Sequence, residues 1–240
     1  LPIVETRKGP PGFAVDYEAA PFTVAWEITR ACALACFHCR ADAQPRRDPA
    51  ELTTAQGLAL IDQVADMGTI VLVVTGGDPL MRDDCFDLIS HAALRGLRVG
   101  FSPSATGRLT RDALRKAGEA GTDRLHISMD GARAETHDAL RGVHGSFDRS
   151  MRAIRDAAEL GLPLQIGSTM TRRNVGEIED LAALVAGSGA VMWSVFFLVP
   201  TGRATVDEML DADEHERVMT WLAQLQSRAP YQVRTTAGMQ

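Results

Sequence analysis

Three of the four cysteines, Cys32, Cys36 and Cys39, fall within eight consecutive positions, a density that suits a metal site. Thiolate sulfur is a soft ligand, at home on zinc or in an iron–sulfur centre. Four protein thiolates would close a 4Fe–4S cluster and make it an electron carrier. Three leave one iron open to an outside ligand, and so to chemistry on that ligand. Zinc is the rival, with His38 as the fourth ligand of a structural site. Against zinc, His38 adjoins Cys39, and neighbouring residues rarely aim at one ion; the sequence also holds no second, separated ligand pair. Buried thiols without metal are the third reading. Cys85, alone on a helical stretch, reads as a small buried hydrophobe.

Thiols at this spacing need a frame. Short apolar runs alternate with amphipathic stretches along the chain. Strands are predicted at 23–29, 70–75, 98–102, 124–129, 164–170 and 191–198, and helices at 53–67, 83–94, 110–120, 147–160, 174–186 and 213–225. Gly68, Gly96, Gly121 and Gly161 each follow a helical stretch, while Thr53 or Thr54, Thr110 and Asn174 stand where N-caps belong. Six β-α units in series imply a parallel sheet with right-handed crossovers. The sheet is either doubly wound or a barrel, complete or partial. Both collect functional groups at the C-terminal strand ends, and the cysteine loop directly follows the first predicted strand.

The 240 residues are 45% apolar and 23% charged, enough for a full core. A net charge of −6 argues against nucleic acid or an anionic membrane as the main partner. No run approaches the ~18 apolar residues of a membrane span, and the first residues lack a signal-peptide pattern. Clustered thiols in such a chain point to a reducing compartment, by default the cytoplasm. The expected organisation is an N-terminal arm over 1–22, a barrel domain over 23–225 and, at 226–240, the start of a C-terminal extension or a tail. The chain begins without Met and stops at Gln240, as a piece of a longer protein would.

The C-x3-C-x2-C spacing, with aromatic Phe37 two residues before Cys39, resembles the radical S-adenosylmethionine superfamily. That resemblance implies an α/β fold, a partial (β/α)6 barrel with parallel strands. It implies a 4Fe–4S cluster on Cys32, Cys36 and Cys39, with S-adenosylmethionine at the open iron and Phe37 among its contacts. Gly76-Gly77-Asp78-Pro79, ending the second predicted strand, resembles the family's GGE motif with Asp for Glu. The motif is associated with the methionine amino group, and glycine there permits close backbone approach. Taken alone, the run is a turn.

Ser128-Met129-Asp130-Gly131, followed by His137-Asp138 and Arg141-Gly142, is similar to a stretch of the SPASM- and twitch-associated branch that modifies peptides and haem. The resemblance gives Ser128 and Arg141 to the methionine carboxylate, which a guanidinium fork suits, and ranks Asp130 below them. Without that context Arg141 reads as a surface helix cation. Pro200-Thr201-Gly202-Arg203 resembles the P-x-G-R segment of the same branch, whose relatives often carry a C-terminal cysteine-rich extension; no cysteine follows Cys85 here.

The implied activity is reductive cleavage of S-adenosylmethionine to a 5′-deoxyadenosyl radical, which abstracts hydrogen from a peptide or tetrapyrrole-like substrate. A flavodoxin- or ferredoxin-like one-electron reductant is the implied partner. The alternatives are a non-catalytic iron–sulfur electron-transfer or binding protein, and a zinc-stabilised α/β scaffold. Period two puts His126, Ser128 and Asp130 on one strand face. If that face lines the barrel, His126 meets substrate or cofactor; otherwise it is a satisfied structural histidine. Glu27 and Thr29 share a face of the first strand, and Trp26 faces the helices.

Overall fold

A computed structural model of the chain describes residues 20–236. The expected arm at 1–22 therefore lies outside the described residues, apart from its last three. Seven parallel strands form one sheet in sequence order: β1 (Thr23–Glu27), β2 (Val71–Thr75), β3 (Arg98–Phe101), β4 (Thr122–Ser128), β5 (Leu164–Met170), β6 (Met192–Phe197) and β7 (Gln232–Thr236). A doubly wound sheet reverses its strand order partway. This one never does, and it curls into a half-barrel. The helices are α1 (Thr54–Asp66), α2 (Cys85–Leu94), α3 (Arg111–Glu119), α4 (Ala134–Arg141), α5 (Ser146–Glu159), α6 (Ile178–Gly187) and α7 (Ala212–Gln226).

Alternation along each strand separates two faces. Leu72, Val74, Val99, Phe101, Leu125 and Ile127 pack into one core with Ile61, Leu88 and Leu114 of the helices. The opposite, concave face keeps partly exposed residues: Val71, Val73 and Thr75 on β2, then Arg124, His126 and Ser128 on β4. Register aligns these residues into rows, with Gly100 beside Arg124, His126 beside Gln165 and Ser128 beside Gly167.

Trp26 packs on α1, where a Cβ at Gly57 would lie 2.8 Å from its ring. Cys85 is 1% exposed in the same core, and burial pushes its thiol up to about 12. Thr53 closes a capping box with Gln56, and Thr110 caps α3 through the Ala113 amide. Asn174 does not cap; its amide is used elsewhere, as described below.

Two elements lie where periodicity gave no signal. α4 covers the stretch after Gly131, and of its eight residues only His137 and Leu140 are buried. β7 is the polar run Gln-Val-Arg-Thr-Thr, left without a partner by its composition, yet it pairs in parallel with β6 at the sheet edge. Among the described residues no helix is long and apolar enough to cross a membrane.

Candidate cofactor site

β1 ends at Glu27, and the chain turns at once into the cysteine loop. The loop's base closes through Cys32 N to Gln44 O and Gln44 N to Arg30 O, each 2.8 Å. Cys32, Leu34, Cys36 and Ala43 form a small apolar cluster, with Cys39 and Val143 packed against it. The Leu34 and Ala43 amides donate to the sulfurs of Cys32 and Cys39 at 3.4 Å, and Arg141 Nη1 lies 3.9 Å from Cys36 Sγ. Burial pushes the Cys32 and Cys36 thiols up, and at Cys36 the Arg141 guanidinium opposes that push. Among the described residues no three His, Cys, Asp or Glu side chains are arranged around a single ion. Thiolates bound to separate irons of a cluster need no such convergence; a structural zinc site does.

Three distant segments stitch this loop in place. After β2, the Gly77 amide donates to Thr29 O at 2.8 Å and the Asp78 amide to Ala31 O at 2.7 Å. A Cβ would meet those same carbonyls at 2.3 Å from Gly76 and 2.5 Å from Gly77, so the backbones touch only because neither residue has a side chain. At the end of α4, Ala35 N donates to Arg141 O and Phe37 N to Leu140 O, at 3.1 and 3.3 Å. After β6, Arg203 grips three carbonyls: its amide holds Cys39 O at 3.1 Å, its Nε Cys36 O at 2.9 Å and its Nη1 Ala43 O at 3.4 Å. Gly142 and Gly202 sit at φ +66° and +63°, with their missing Cβ positions 2.4 and 2.2 Å from Ala35 O and Cys39 O. The three motifs that sequence placed far apart therefore all end on the cysteine loop.

The acids at the strand ends are engaged. Asp78 is fully buried; its carboxylate accepts from Leu80 N, Ser104 N and Thr106 Oγ1 at 3.2, 3.3 and 2.8 Å. Burial outweighs those donors and drives its carboxyl up. Pro79 is buried as the first residue of the 3-10 turn that Asp78 caps. Asp130 is also fully buried, with Thr169 N on Oδ1 at 2.8 Å and Arg141 Nη2 facing Oδ2 at 2.6 Å. His38 Nε2 lies 3.3 Å from the same Oδ2. Burial works to raise the Asp130 carboxyl, but Arg141, His38 and His137 together hold it below the usual range.

The backbone around Asp130 is fixed as well. Its amide donates to His137 Nδ1 at 3.1 Å, and its carbonyl accepts from Asn174 Nδ2 at 2.6 Å. Glu177 takes the Ala132 amide at 2.8 Å and the Thr136 hydroxyl. Asp138 caps α5 through Ser146 Oγ and Phe147 N, both at 2.8 Å. The roles of Asn174, Glu177 and the Arg203 side chain were not foreseen. Only Arg203 carried a signal, its place in the Pro-x-Gly-Arg segment.

Ser128 lies on the concave face, and its carbonyl accepts from Ser150 Oγ at 3.3 Å. Phe37 carries the Arg173 guanidinium 4.5 Å over its ring. Glu27 pairs with Arg40 at 2.7 Å, and Thr29 donates to Glu51 at 2.7 Å. Five buried polar atoms near the loop lack a hydrogen-bond partner: His38 Nδ1, His126 Nε2, Asp130 Oδ2, Arg141 Nε and Arg203 Nη2. Asp130 Oδ2 meets Arg141 as an ion pair without hydrogen-bond alignment. Buried orphans of both signs fit a ligand that carries both charges.

In this parallel half-barrel the first strand delivers three thiols into a loop that is braced from the second, fourth and sixth strand ends. Residues 26–185 match the Radical SAM superfamily, and the chain belongs to that superfamily, whose members use a 4Fe–4S cluster with S-adenosylmethionine. It is 41% identical over 217 residues to an AdoMet-dependent heme synthase of Nitratidesulfovibrio vulgaris, covering 90% of this chain and 59% of that protein. It is 35% identical over 207 residues to the mycofactocin maturase MftC of Mycobacterium tuberculosis, covering 85% of this chain and 52% of that one. The chain thus spans little more than half the length of these relatives. Streptococcus suis SuiB, solved with S-adenosylmethionine bound, superposes with a TM-score of 0.77 at 17% identity, covering 91% of this chain and 51% of SuiB. That likeness is one of fold.

Proposed function

We propose that the chain is the radical-generating barrel of a larger enzyme that modifies a tetrapyrrole. When bound, the cluster and S-adenosylmethionine supply one-electron reductive cleavage, yielding methionine and a 5′-deoxyadenosyl radical for hydrogen abstraction. In this reading Cys32, Cys36 and Cys39 hold the cluster. Phe37, Gly76, Gly77, Asp78, Pro79, Ser128, Asp130 and Arg141 shape the S-adenosylmethionine site. Asp78 works from within, fixing the turn whose backbone faces the methionine amino group. Asp130 holds the Arg141 guanidinium, whose unpartnered Nε is left for the methionine carboxylate. The dry, apolar setting of the thiols excludes water from a reactive species.

The observation that carries the reading is the triple stitching: motifs from three strand ends converge on one cysteine loop, which a simple electron carrier does not require. The tetrapyrrole assignment is supported by the similarity to haem synthases. The similarity to a peptide maturase supports a peptide substrate as the second reading. A flavodoxin- or ferredoxin-like reductant, a cytoplasmic setting and a barrel domain over 23–225 with a further segment beyond it complete the proposal.

The test is anaerobic reconstitution followed by strong reduction with S-adenosylmethionine present. We expect about four iron and four sulfide per chain, and slow release of 5′-deoxyadenosine. A colourless protein with stoichiometric zinc overturns the cluster. Iron and cofactor binding without deoxyadenosine reduces the chain to a binding module.

A further inference from the structure

We propose that Arg203 is the counter-charge of the thiolate-held centre and raises its reduction potential, besides bracing the loop; this rests on the cluster reading above. The residue is tied to two of the loop's three cysteines. Its amide donates to Cys39 O at 3.1 Å and its Nε to Cys36 O at 2.9 Å. Nη1 reaches the carbonyl of Ala43, a member of the same apolar cluster as Cys32 and Cys36, at 3.4 Å. All three acceptors are neutral. Nη2 is buried and has no partner.

The other charges around the loop are mostly matched. Arg141 faces Asp130 at 2.6 Å, Arg40 faces Glu27 at 2.7 Å, Arg47 faces Glu51 at 2.8 Å and Arg30 faces Asp42 at 3.8 Å, while Arg173 pairs with Glu208. Arg46 and Asp48 are exposed, where water and salt screen them. Asp78 stands on the β2 side, where its charge bears on Cys32 and burial opposes its ionisation. His38, between Cys36 and Cys39, is neutral at pH 7. Burial is the main cause that lowers it to about 4; Asp130 opposes this, and the charges of Arg141 and then Arg203 add to it. The Arg203 charge is therefore felt inside the loop, and among the described residues no acid forms an ion pair with it.

An unpaired cation in apolar packing is costly unless an anion stands beside it. Three thiolates supply one. Their charge outweighs that of an oxidised 4Fe–4S core by one, and by two once the core takes an electron. A fixed guanidinium attracts the doubly charged state more than the singly charged one. It therefore favours the reduced form, as net charge around a cluster does in general. The segment that holds Cys36 O and Cys39 O thus also sets how readily the centre accepts its electron.

The experiment is redox potentiometry of the anaerobically reconstituted chain without S-adenosylmethionine, followed by the paramagnetic signal of the reduced cluster. Arg203→Gln should be about tenfold harder to reduce than wild type, a downward shift of about 59 mV for one electron. Arg203→Lys keeps the charge and should stay within about threefold of wild type. Gly202→Ala disturbs the same clamp without removing a charge, so its potential should match wild type. An unshifted potential in Arg203→Gln overturns the counter-charge. An equal downward shift in all three variants also overturns it, because it would mark a loosened loop. If Arg203→Gln holds no iron, full iron in Arg203→Lys supports the charge and loss of iron there overturns it. Iron and sulfide counted on the wild-type sample test the cluster reading separately: a wild type without them overturns both, and a loaded one with unshifted variants overturns the counter-charge alone.

Discussion

Arg141 Nη2 lies 2.6 Å from Asp130 Oδ2, and the two side chains are 14% and 1% exposed. The pair joins the end of β4 to the last turn of α4, and it places the guanidinium beside Cys36. Asp130 is itself immobilised through Thr169, His137 and Asn174. The direction of the guanidinium is therefore set before any ligand binds. Removing the acid leaves a buried cation with only a thiol and its own orphaned Nε for company. We expect Asp130→Asn to destabilise the protein by about 3 kcal/mol, the cost of breaking a buried pair from one side. Urea unfolding measures it, and a loss under ~0.5 kcal/mol, typical of a solvated surface pair, would contradict the assignment.

The four cysteines should divide three to one. Cys32, Cys36 and Cys39 share one apolar pocket, whereas Cys85, the first residue of α2, packs into the main core. Cys32→Ser, Cys36→Ser and Cys39→Ser should each lose iron on anaerobic reconstitution. Cys85→Ser should keep its iron and instead unfold at lower urea, because a hydroxyl in a dry core lacks a partner. Iron lost only from Cys85→Ser would reverse the assignment.

Gly202 and Arg203 act on the loop from outside it. At Gly202 an alanine Cβ would collide with Cys39 O, and the backbone there is left-handed. Gly202→Ala should therefore strain this backbone, at a cost of about 1–3 kcal/mol. Its effect should be on the loop: faster loss of iron to a chelator, several-fold over wild type. Arg203→Lys keeps the charge but not the fork that holds Cys36 O and Ala43 O, and it should behave alike. Chelation rates equal to wild type in both variants would show that the clamp is dispensable.

How much of this was legible follows from how local each signal is. The strands from β1 to β6 announce themselves because one face of each packs into the helices, as Leu72 and Val74 do. The cysteine spacing is likewise local. β7 escaped because its residues are polar and it lies at the edge of the sheet, and α4 because it buries only His137 and Leu140. The motif residues were visible, but not their uses. Asp78 holding Thr106 and Arg203 holding Cys36 are contacts between segments 28 and 167 residues apart, and neither follows from composition or period.

Acid should loosen the fold through three buried histidines. Burial is the first cause that lowers His38, His126 and His137, each to about 4, well below the ordinary value of 6.5. The Arg141 charge adds to this at all three. His137 shows why the neutral ring is needed: its Nδ1 accepts the Asp130 amide and so cannot carry a proton. Between about pH 6.5 and 4 the unfolded chain takes up protons that the folded protein refuses. Stability must then fall as pH drops through that window, and it is flat in these groups above it. Each such histidine contributes a slope of up to about 1.4 kcal/mol per pH unit. In His137→Gln the amide oxygen can still accept from Asp130, but one of the three protons is gone. Urea midpoints of iron-free protein, measured from pH 7 to 4.5, should therefore decline less steeply for His137→Gln than for wild type. Parallel declines would mean that His137 is already protonated in the folded protein, and that its place beneath Asp130 has been misjudged.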